Sequence, residues 1–131
     1  TRGNKDCHVI LRGGSRTGPN FDAEHVAEVC ARLVKHKLPD TVMIDCSHGN
    51  SHKDHTKQQI AAASICEQVA AGSWSVFGAM IESHLVEGRQ EYVQGKPAVY
   101  GQSITDACIS IEQTEPIFEQ LAAAQQKRGR R

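Results

Sequence analysis

The chain has 131 residues, of which 39% are hydrophobic and 23% are charged, and its 15 basic and 15 acidic side chains give a formal net charge of zero. This length fits one globular domain, and the balanced charge argues against nucleic acid or a membrane surface as a partner held by bulk electrostatics. No apolar run approaches the roughly 20 residues that span a bilayer.

The first predicted unit is a strand, a loop and a helix. His8–Leu11 is a short apolar run that predicts a buried strand, and residues 12–20 carry three glycines and a proline, which predict a loop. Asp22 is the predicted N-cap of a helix that runs to about Lys37. The apolar positions between Val26 and Val34 recur at helical spacing and support that helix.

Two further strands follow with a helix between them. Val42–Asp45 is the second predicted strand and Val76–Ile81 is the third. Apolar and small residues from Ile60 to Val69 share one helical face, and Gly72 is the predicted stop of that helix. The sequence therefore alternates strand and helix up to the end of the third strand.

The C-terminal part of the chain is predicted to be a long loop followed by helices. Ser83–Ser103 is rich in glycine and polar residues, which predicts a loop. Thr105 or Ser103 is the predicted cap of a helix that begins near Asp106. Thr114 is the predicted cap of the last helix.

The strand starts show a regular spacing that bears on the fold. They fall at residues 8, 42 and 76, each 34 residues after the previous one, and each period holds one strand and one helix. Successive β-α-β connections predict parallel neighbouring strands. A small open sheet would leave its last strand as an exposed edge, and a closed (β/α)8 barrel needs about 250 residues. We therefore predict an α/β fold in which residues 1–131 are the C-terminal portion of one TIM-barrel domain.

Cysteine usage and the start of the chain bear on its location. The five cysteines are odd in number, widely spaced and free of any Cys-x-x-Cys pair. This predicts reduced thiols in a cytoplasmic protein rather than a disulfide framework or a zinc site made of cysteines alone. The chain begins at Thr1 without a methionine or a secretory segment, so we expect further sequence upstream. Cys46 lies beside the candidate site, and a packed thiol is its expected role.

Charged and polar side chains follow each predicted strand at the point where it ends. Arg12 follows the first strand, His48 the second and Glu82 the third. Ligands bind at the carboxyl ends of strands in parallel α/β folds, so these three residues outline an active site. Arg12 precedes two glycines and suits a phosphate or carboxylate. An exposed arginine in a flexible loop is an equally open alternative.

One histidine and two carboxylates predict a metal site. His48, Glu82 and Asp106 are ligands that suit divalent Mn, Fe, Co or Zn with positions left open for substrate. Residue type alone leaves two alternatives open. His48 can be a hydrogen-bonding loop histidine, and Asp106 can complement a helix dipole. Lys53, His52 and His55 are predicted to form a solvated polar rim.

Four segments carry a resemblance to a known family. They are Gly3–Gly14 (GNKDCHVILRGG), Met43–Ser51 (MIDCSHGNS), Met80–Gly88 (MIESHLVEG) and Tyr100–Cys108 (YGQSITDAC). In this order they resemble the bacterial and fungal type I 3-deoxy-D-arabino-heptulosonate 7-phosphate (DAHP) synthases over essentially the whole chain. That family condenses phosphoenolpyruvate with erythrose 4-phosphate and releases phosphate, the first step of the shikimate pathway. Its fold is a TIM barrel, and it requires a divalent metal.

The resemblance implies a role for each matching residue. His48, Glu82 and Asp106 match metal ligands, and Arg12 matches an arginine that binds the phosphate of phosphoenolpyruvate. The implied substrate contacts are Arg12, His48 and Asp106, with catalytic roles for His48 and Arg12. The chain would then correspond to about strands 6 to 8 of the barrel. The full-length protein is expected to be a cytoplasmic homo-oligomer without a nucleic-acid or membrane partner.

The resemblance also implies parts that this chain lacks. The family's fourth metal ligand, a cysteine after the first strand, and its Lys-Pro-Arg-Thr substrate motif have no counterpart here. Cys46 belongs to the Cys-Ser-His stretch and does not replace that ligand. Two hypotheses follow. The chain is either part of an active synthase or a catalytically inactive C-terminal fragment that acts only as a folding or interaction module.

Overall fold

The computed structural model describes residues 2–4, 6–93, 95 and 98–129, and a sheet of three parallel strands lies at its centre. The strands are β1 (Val9–Leu11), β2 (Val42–Asp45) and β3 (Val76–Met80), in the spatial order β1-β2-β3. The predicted strands and their parallel order are confirmed. Thr1, at which the chain begins, and Lys5, which belongs to the segment Gly3–Gly14, lie outside the described residues.

The sheet buries one face because its side chains alternate. Leu11 pairs with Ile44, and Ile44 pairs with Ala79, so these apolar side chains share a face. Val42 and Ile44 are completely buried. The core that they belong to continues into the helices through Val26, Cys30, Ala61, Ala62, Ile65, Val69, Ile117 and Ala124. The opposite face of β2 carries Asp45 at its carboxyl end.

The first helix, α1 (Ala23–Lys35), begins where the sequence predicts. Asp22 is its N-cap, and the Asp22 carboxylate accepts hydrogen bonds from the backbone N–H groups of Glu24 and His25, each at 3.1 Å. The helix ends two residues before the predicted end. Lys37 there adopts a left-handed φ of 58°, which closes the helix.

The second helix, α2 (Gln58–Ala70), buries Ala61, Ile65 and Val69 of the predicted face, whereas Ile60 of that face is exposed. A 3₁₀ turn, His55–Lys57, leads into it, and Asp54 caps that turn by accepting the N–H of Thr56 at 3.1 Å. Gly72 follows the helix with a φ of 100°, which only glycine adopts readily. The predicted stop at this glycine is confirmed.

The segment after β3 differs from the predicted loop over Ser83–Ser103. It contains short strands, namely β4 (Ser83–His84), β5 (Val86–Arg89) and β6 (Gln102–Ser103), and β7 (Ile109–Ser110) follows. β4 pairs with β7 and β5 pairs with β6, both parallel. The prediction of a loop is wrong for the residues of these strands, because strands of two to four residues are too short to show an alternating pattern. Their partners are distant in the sequence.

The last helix, α3 (Ile111–Arg128), corrects two predicted helix starts. Asp106 lies in a bend rather than at the start of a helix. Ser110, not Thr114, is the N-cap of α3. The Ser110 hydroxyl accepts the N–H of Gln113 at 3.2 Å, and the Gln113 side chain accepts the N–H of Ser110 at 2.7 Å. This capping box satisfies two backbone donors, whereas Thr114 lies inside the helix and donates its hydroxyl to the Ser110 carbonyl.

All five cysteines are free thiols, as the sequence predicts. Cys46 is completely buried, and burial raises the pKa of its thiol to about 12. It is therefore a packed thiol rather than a reactive one. Across the described ranges, no helix combines the length and the hydrophobicity of a transmembrane segment.

Candidate metal and substrate site

The strand ends bring the predicted ligands together. His48 follows β2, Glu82 follows β3, and Asp106 comes from the bend before β7. Each of these side chains offers one ligand atom, and the three atoms lie within 4.8 Å of one another. The structure thus brings together three residues that are 34 and 24 positions apart in sequence. Residue types and spacing both fit one divalent ion.

The three side chains line a small cavity. Its volume is about 130 Å³, and its lining is Ser47, His48, Ser51, Lys53, His55, Glu82, Asp106 and Ala107. Nε2 of His48 lies 3.5 Å from Oε1 of Glu82, and both side chains are partly buried. Asp106 is exposed. The candidate ligands His48 and Glu82 are therefore partly shielded from solvent, whereas the cavity is open to solvent beside Asp106.

The His48 backbone has an unusual conformation that places its side chain. Its φ is 49°, in the left-handed region that non-glycine residues rarely occupy. The turn that follows closes on it, because the N–H of Lys53 donates to the His48 carbonyl at 2.8 Å. Lys53 and His52 also have positive φ values. The predicted polar rim residues Lys53 and His55 line the cavity, whereas His52 does not.

Asp45 is a further residue of the site, and the sequence did not predict its role. Its buried carboxylate lies 2.8 Å from Nδ1 of His48 and 3.4 Å from Nε of Arg12. It also accepts hydrogen bonds from the N–H and the hydroxyl of Ser47, at 2.9 and 2.5 Å. The spacing Asp45-x-x-His48 is the signal that was present in the sequence.

Arg12 lies at the edge of the same site. Its side chain is 56% exposed, and the contact with Asp45 through Nε uses one of the five N–H donors of the guanidinium. The four donors on Nη1 and Nη2 make no hydrogen bond within the described part of the chain. Arg12 therefore has the position and the donors to bind an anionic group beside the metal ligands.

The loops after β1 and β2 touch each other through their backbones. A Cβ atom on Gly49 would lie 2.5 Å from the nitrogen of Gly14 and 2.6 Å from the carbonyl carbon of Gly13, so only glycine fits there. Asn50 is buried beside this contact, and its amide donates to the carbonyls of Leu11 (3.0 Å) and Asp45 (2.7 Å). One side chain thus connects the ends of both strands.

Glu82 is held in place by a completely buried glutamine. The Gln58 side chain accepts the N–H of Glu82 at 2.8 Å and donates to its carbonyl at 3.0 Å. Gln58 stands at the start of α2, so the helix fixes the backbone of this candidate ligand. This role could not be predicted from the sequence, because a glutamine at a helix start gives no local sign of a distant partner.

The electrostatics of the site favour a cation. Burial raises the pKa of the Glu82 carboxyl above its usual value, Asp106 and Asp45 raise it further, and His48 and Arg12 oppose the rise. Carboxylates placed this close repel one another, and a bound divalent ion would offset that repulsion.

The chain is similar to known proteins over nearly its whole length. A model of the DAHP synthetase I family matches residues 1–119. A phospho-2-dehydro-3-deoxyheptonate aldolase of Haemophilus influenzae is 53% identical over 124 residues, which are 95% of this chain and 34% of that protein. A tyrosine-inhibited protein of the same name from Schizosaccharomyces pombe is 55% identical over 129 residues, again 95% of this chain and 34% of that protein.

A solved structure is similar as well. The phospho-2-dehydro-3-deoxyheptonate aldolase of Francisella tularensis superimposes with a TM-score of 0.90 at 53% identity, over 98% of this chain and 37% of that one. The chain therefore spans about a third of the length of the relatives that it matches.

Proposed function

The chain belongs to the DAHP synthetase I family, and we propose that it is the C-terminal part of a DAHP synthase, contributing about strands 6 to 8 of a TIM barrel. The whole protein would condense phosphoenolpyruvate with erythrose 4-phosphate to DAHP and phosphate, the first step of aromatic amino acid biosynthesis. The observation that carries this proposal is the group formed by His48, Glu82 and Asp106, whose ligand atoms lie within 4.8 Å of one another.

The residues of this chain would divide the work between metal and substrate. His48, Glu82 and Asp106 would hold Mn, Fe, Co or Zn, and such an ion supplies Lewis acidity toward the aldehyde of the sugar phosphate. Arg12 would hold the phosphate of phosphoenolpyruvate. Carbon 3 of phosphoenolpyruvate would then bond to the aldehyde carbon, and water would add at carbon 2 before phosphate leaves. Arg12, His48 and Asp106 would contact the substrates.

The same proposal covers the assembly and its location. The full-length protein would be a cytoplasmic homo-oligomer with the remaining barrel strands beside β1 and β3. Within the described residues each of these strands pairs only with β2, so both have an edge available for a further strand.

A catalytically inactive fragment is the second candidate. It is favoured by the share of the relatives that this chain spans, 34% to 37%. A protein of this length would act only as a folding or interaction module, because the remaining ligand and the Lys-Pro-Arg-Thr motif of the family are absent from the chain.

One experiment separates the two candidates. The protein is purified from its natural source, its intact mass is measured, and phosphate and DAHP are assayed with Mn²⁺ and both substrates. We expect a mass well above 14.3 kDa and product that disappears on treatment with a chelator or on omission of erythrose 4-phosphate. A protein of 14.3 kDa that makes no DAHP would support the inactive fragment and contradict the synthase.

A further inference from the structure

Asp45 is a buried carboxylate to which the proposed chemistry gives no direct role. Its side chain is 1% exposed, so it cannot reach a substrate. Oδ2 nevertheless lies 2.8 Å from Nδ1 of His48 and 3.4 Å from Nε of Arg12, which are the proposed metal and phosphate residues. Oδ1 accepts the N–H and the hydroxyl of Ser47.

These contacts determine which nitrogen of His48 carries the proton. Ser47 has a single hydroxyl hydrogen and donates it to Asp45 at 2.5 Å, so the Ser47 oxygen is an acceptor toward Nδ1 of His48, 2.8 Å away. A carboxylate oxygen is likewise an acceptor, and Oδ2 of Asp45 lies 2.8 Å from Nδ1. With two acceptors beside it, Nδ1 carries the hydrogen of the neutral imidazole, and Nε2 keeps its lone pair.

Nε2 is the nitrogen that faces the ligand group. It lies 3.5 Å from Oε1 of Glu82. A neutral imidazole binds a metal through its unprotonated nitrogen, and a partner on the other nitrogen fixes the ring. The contact with Asp45 through Nε also restrains the guanidinium plane of Arg12 while the Nη groups stay unused.

We propose that Asp45 is a positioning residue for both ends of the site. It holds His48 in the tautomer that presents Nε2 to a divalent metal, and it orients Arg12 toward an anionic substrate group. The identity of the metal and of the anion rests on the proposed function. The orientation of the two side chains by one buried carboxylate does not.

The substitution Asp45→Asn tests this because it changes hydrogen bonding at constant volume. Four donor groups from Arg12, Ser47 and His48 surround two carboxylate oxygens. An amide replaces one acceptor with a donor, so it leaves donors facing donors or moves the His48 proton to Nε2. We expect Mn²⁺ affinity to fall about 10- to 100-fold. The KM for phosphoenolpyruvate is expected to rise in parallel.

Three measurements on the purified full-length protein and its variants test the role of Asp45. Calorimetric titration of the metal-free protein with Mn²⁺ gives the affinity without substrates. Nitrogen-15 NMR of labelled histidine reports the tautomer of His48 without metal, with His48→Ala identifying the signal. Steady-state kinetics give the KM. The matched control is Asp40→Asn, the same change at an exposed residue before the amino end of β2, and we expect it to behave as the parent protein.

The outcomes distinguish this inference from the proposed function. An unprotonated Nδ1 in the parent protein overturns the inference, and that measurement stands even if Asp45→Asn fails to fold. A folded Asp45→Asn protein with parental Mn²⁺ affinity and KM also overturns it. Weakened Mn²⁺ binding and a shifted tautomer in Asp45→Asn, together with a parent protein that itself makes no DAHP, would support the inference and reject the proposed function.

Discussion

Glu82 and Asp106 show at the residue scale why the site needs a partner of opposite charge. The Glu82 pKa is raised by burial and by the neighbouring carboxylates of Asp106 and Asp45, and His48 and the Arg12 guanidinium oppose that rise. Arg12 is more than half exposed and contacts Asp45 rather than Glu82. A divalent ion would therefore remove more of the repulsion than any side chain in the described residues does.

We expect His48→Ala to abolish metal-dependent turnover in the full-length protein. The substitution removes a proposed metal ligand whose Nε2 lies 3.5 Å from Oε1 of Glu82, so both metal affinity and activity should fall. DAHP formation is measured over a Mn²⁺ titration, with Asp40→Asn as the control. Activity within about tenfold of the parent at saturating Mn²⁺, roughly 1.4 kcal/mol, would contradict the ligand role.

We expect Arg12→Lys to weaken phosphoenolpyruvate far more than erythrose 4-phosphate. Lysine keeps the charge but lacks the planar fork that contacts two phosphate oxygens at once. A lost charge-assisted hydrogen bond is worth roughly 1.5–3 kcal/mol, so the KM for phosphoenolpyruvate should rise about ten- to a hundredfold. Kinetics with each substrate varied in turn and metal analysis test this. An equal loss for both substrates, or a loss of metal, would place Arg12 in a structural role.

At the scale of elements, the sequence predicts well what depends on local hydrophobic periodicity, together with the N-cap of α1. β1, β2, β3 and the start of α1 have their own patterns, and the predicted ligands His48, Glu82 and Asp106 meet because parallel strands end at one edge. The contact of Asp45 with His48 depends on the conformation of the turn between them. The contact of Gln58 depends on a partner 24 residues away, Glu82. Neither could be predicted from a local pattern. The strands between residues 83 and 110 needed pairings that no local pattern encodes.

The start of α3 also could not be predicted from the local sequence. Thr105, Ser103 and Thr114 are all residue types that can cap a helix, but the N-cap of α3 is Ser110. Its Gln113 partner completes a capping box, while the pairing of β7 with β4 fixes the strand that ends at Ser110. A tertiary contact therefore selects among caps that the sequence offers as equals.

We expect Asp22→Ala to lower the free energy of unfolding by about 1 kcal/mol at neutral pH, because it removes the N-cap of α1. The pKa of Asp22 is lowered, first by its hydrogen bond from the backbone of His25. A lowered folded-state pKa makes the contribution complete above the ordinary aspartate value, and it is lost as the pH falls through the lowered value. Denaturant titrations of the full-length protein at several pH values, beside Asp40→Ala, test this. A difference that grows toward acid would contradict it.

At the scale of the whole molecule, the sheet has covered and uncovered sides. The helices cover the face of Leu11 and Ile44, whereas Phe77 is 49% exposed and Met80 is 36% exposed. Both β1 and β3 have unpaired edges within the described residues. Exposed edges and apolar side chains favour association with other chains.

We expect residues 1–131, prepared alone, to be inactive, poorly stable and prone to associate. Calorimetry and light scattering after size exclusion test this, with the full-length protein as the control. A monomer that melts in one cooperative transition would contradict the expectation.

The backbone contact between Gly13 and Gly49 makes Arg12 and His48 parts of one rigid body. No side chain separates Gly13 from Gly49, so the backbones that carry Arg12 and His48, the proposed phosphate and metal residues, are held together once the protein folds. The entropy of arranging them is therefore lost during folding and not when substrate binds, which is preorganisation in the strict sense. The two loops are therefore expected to move as one unit, and in the proposed synthase any closure around the substrates would come from another part of the barrel.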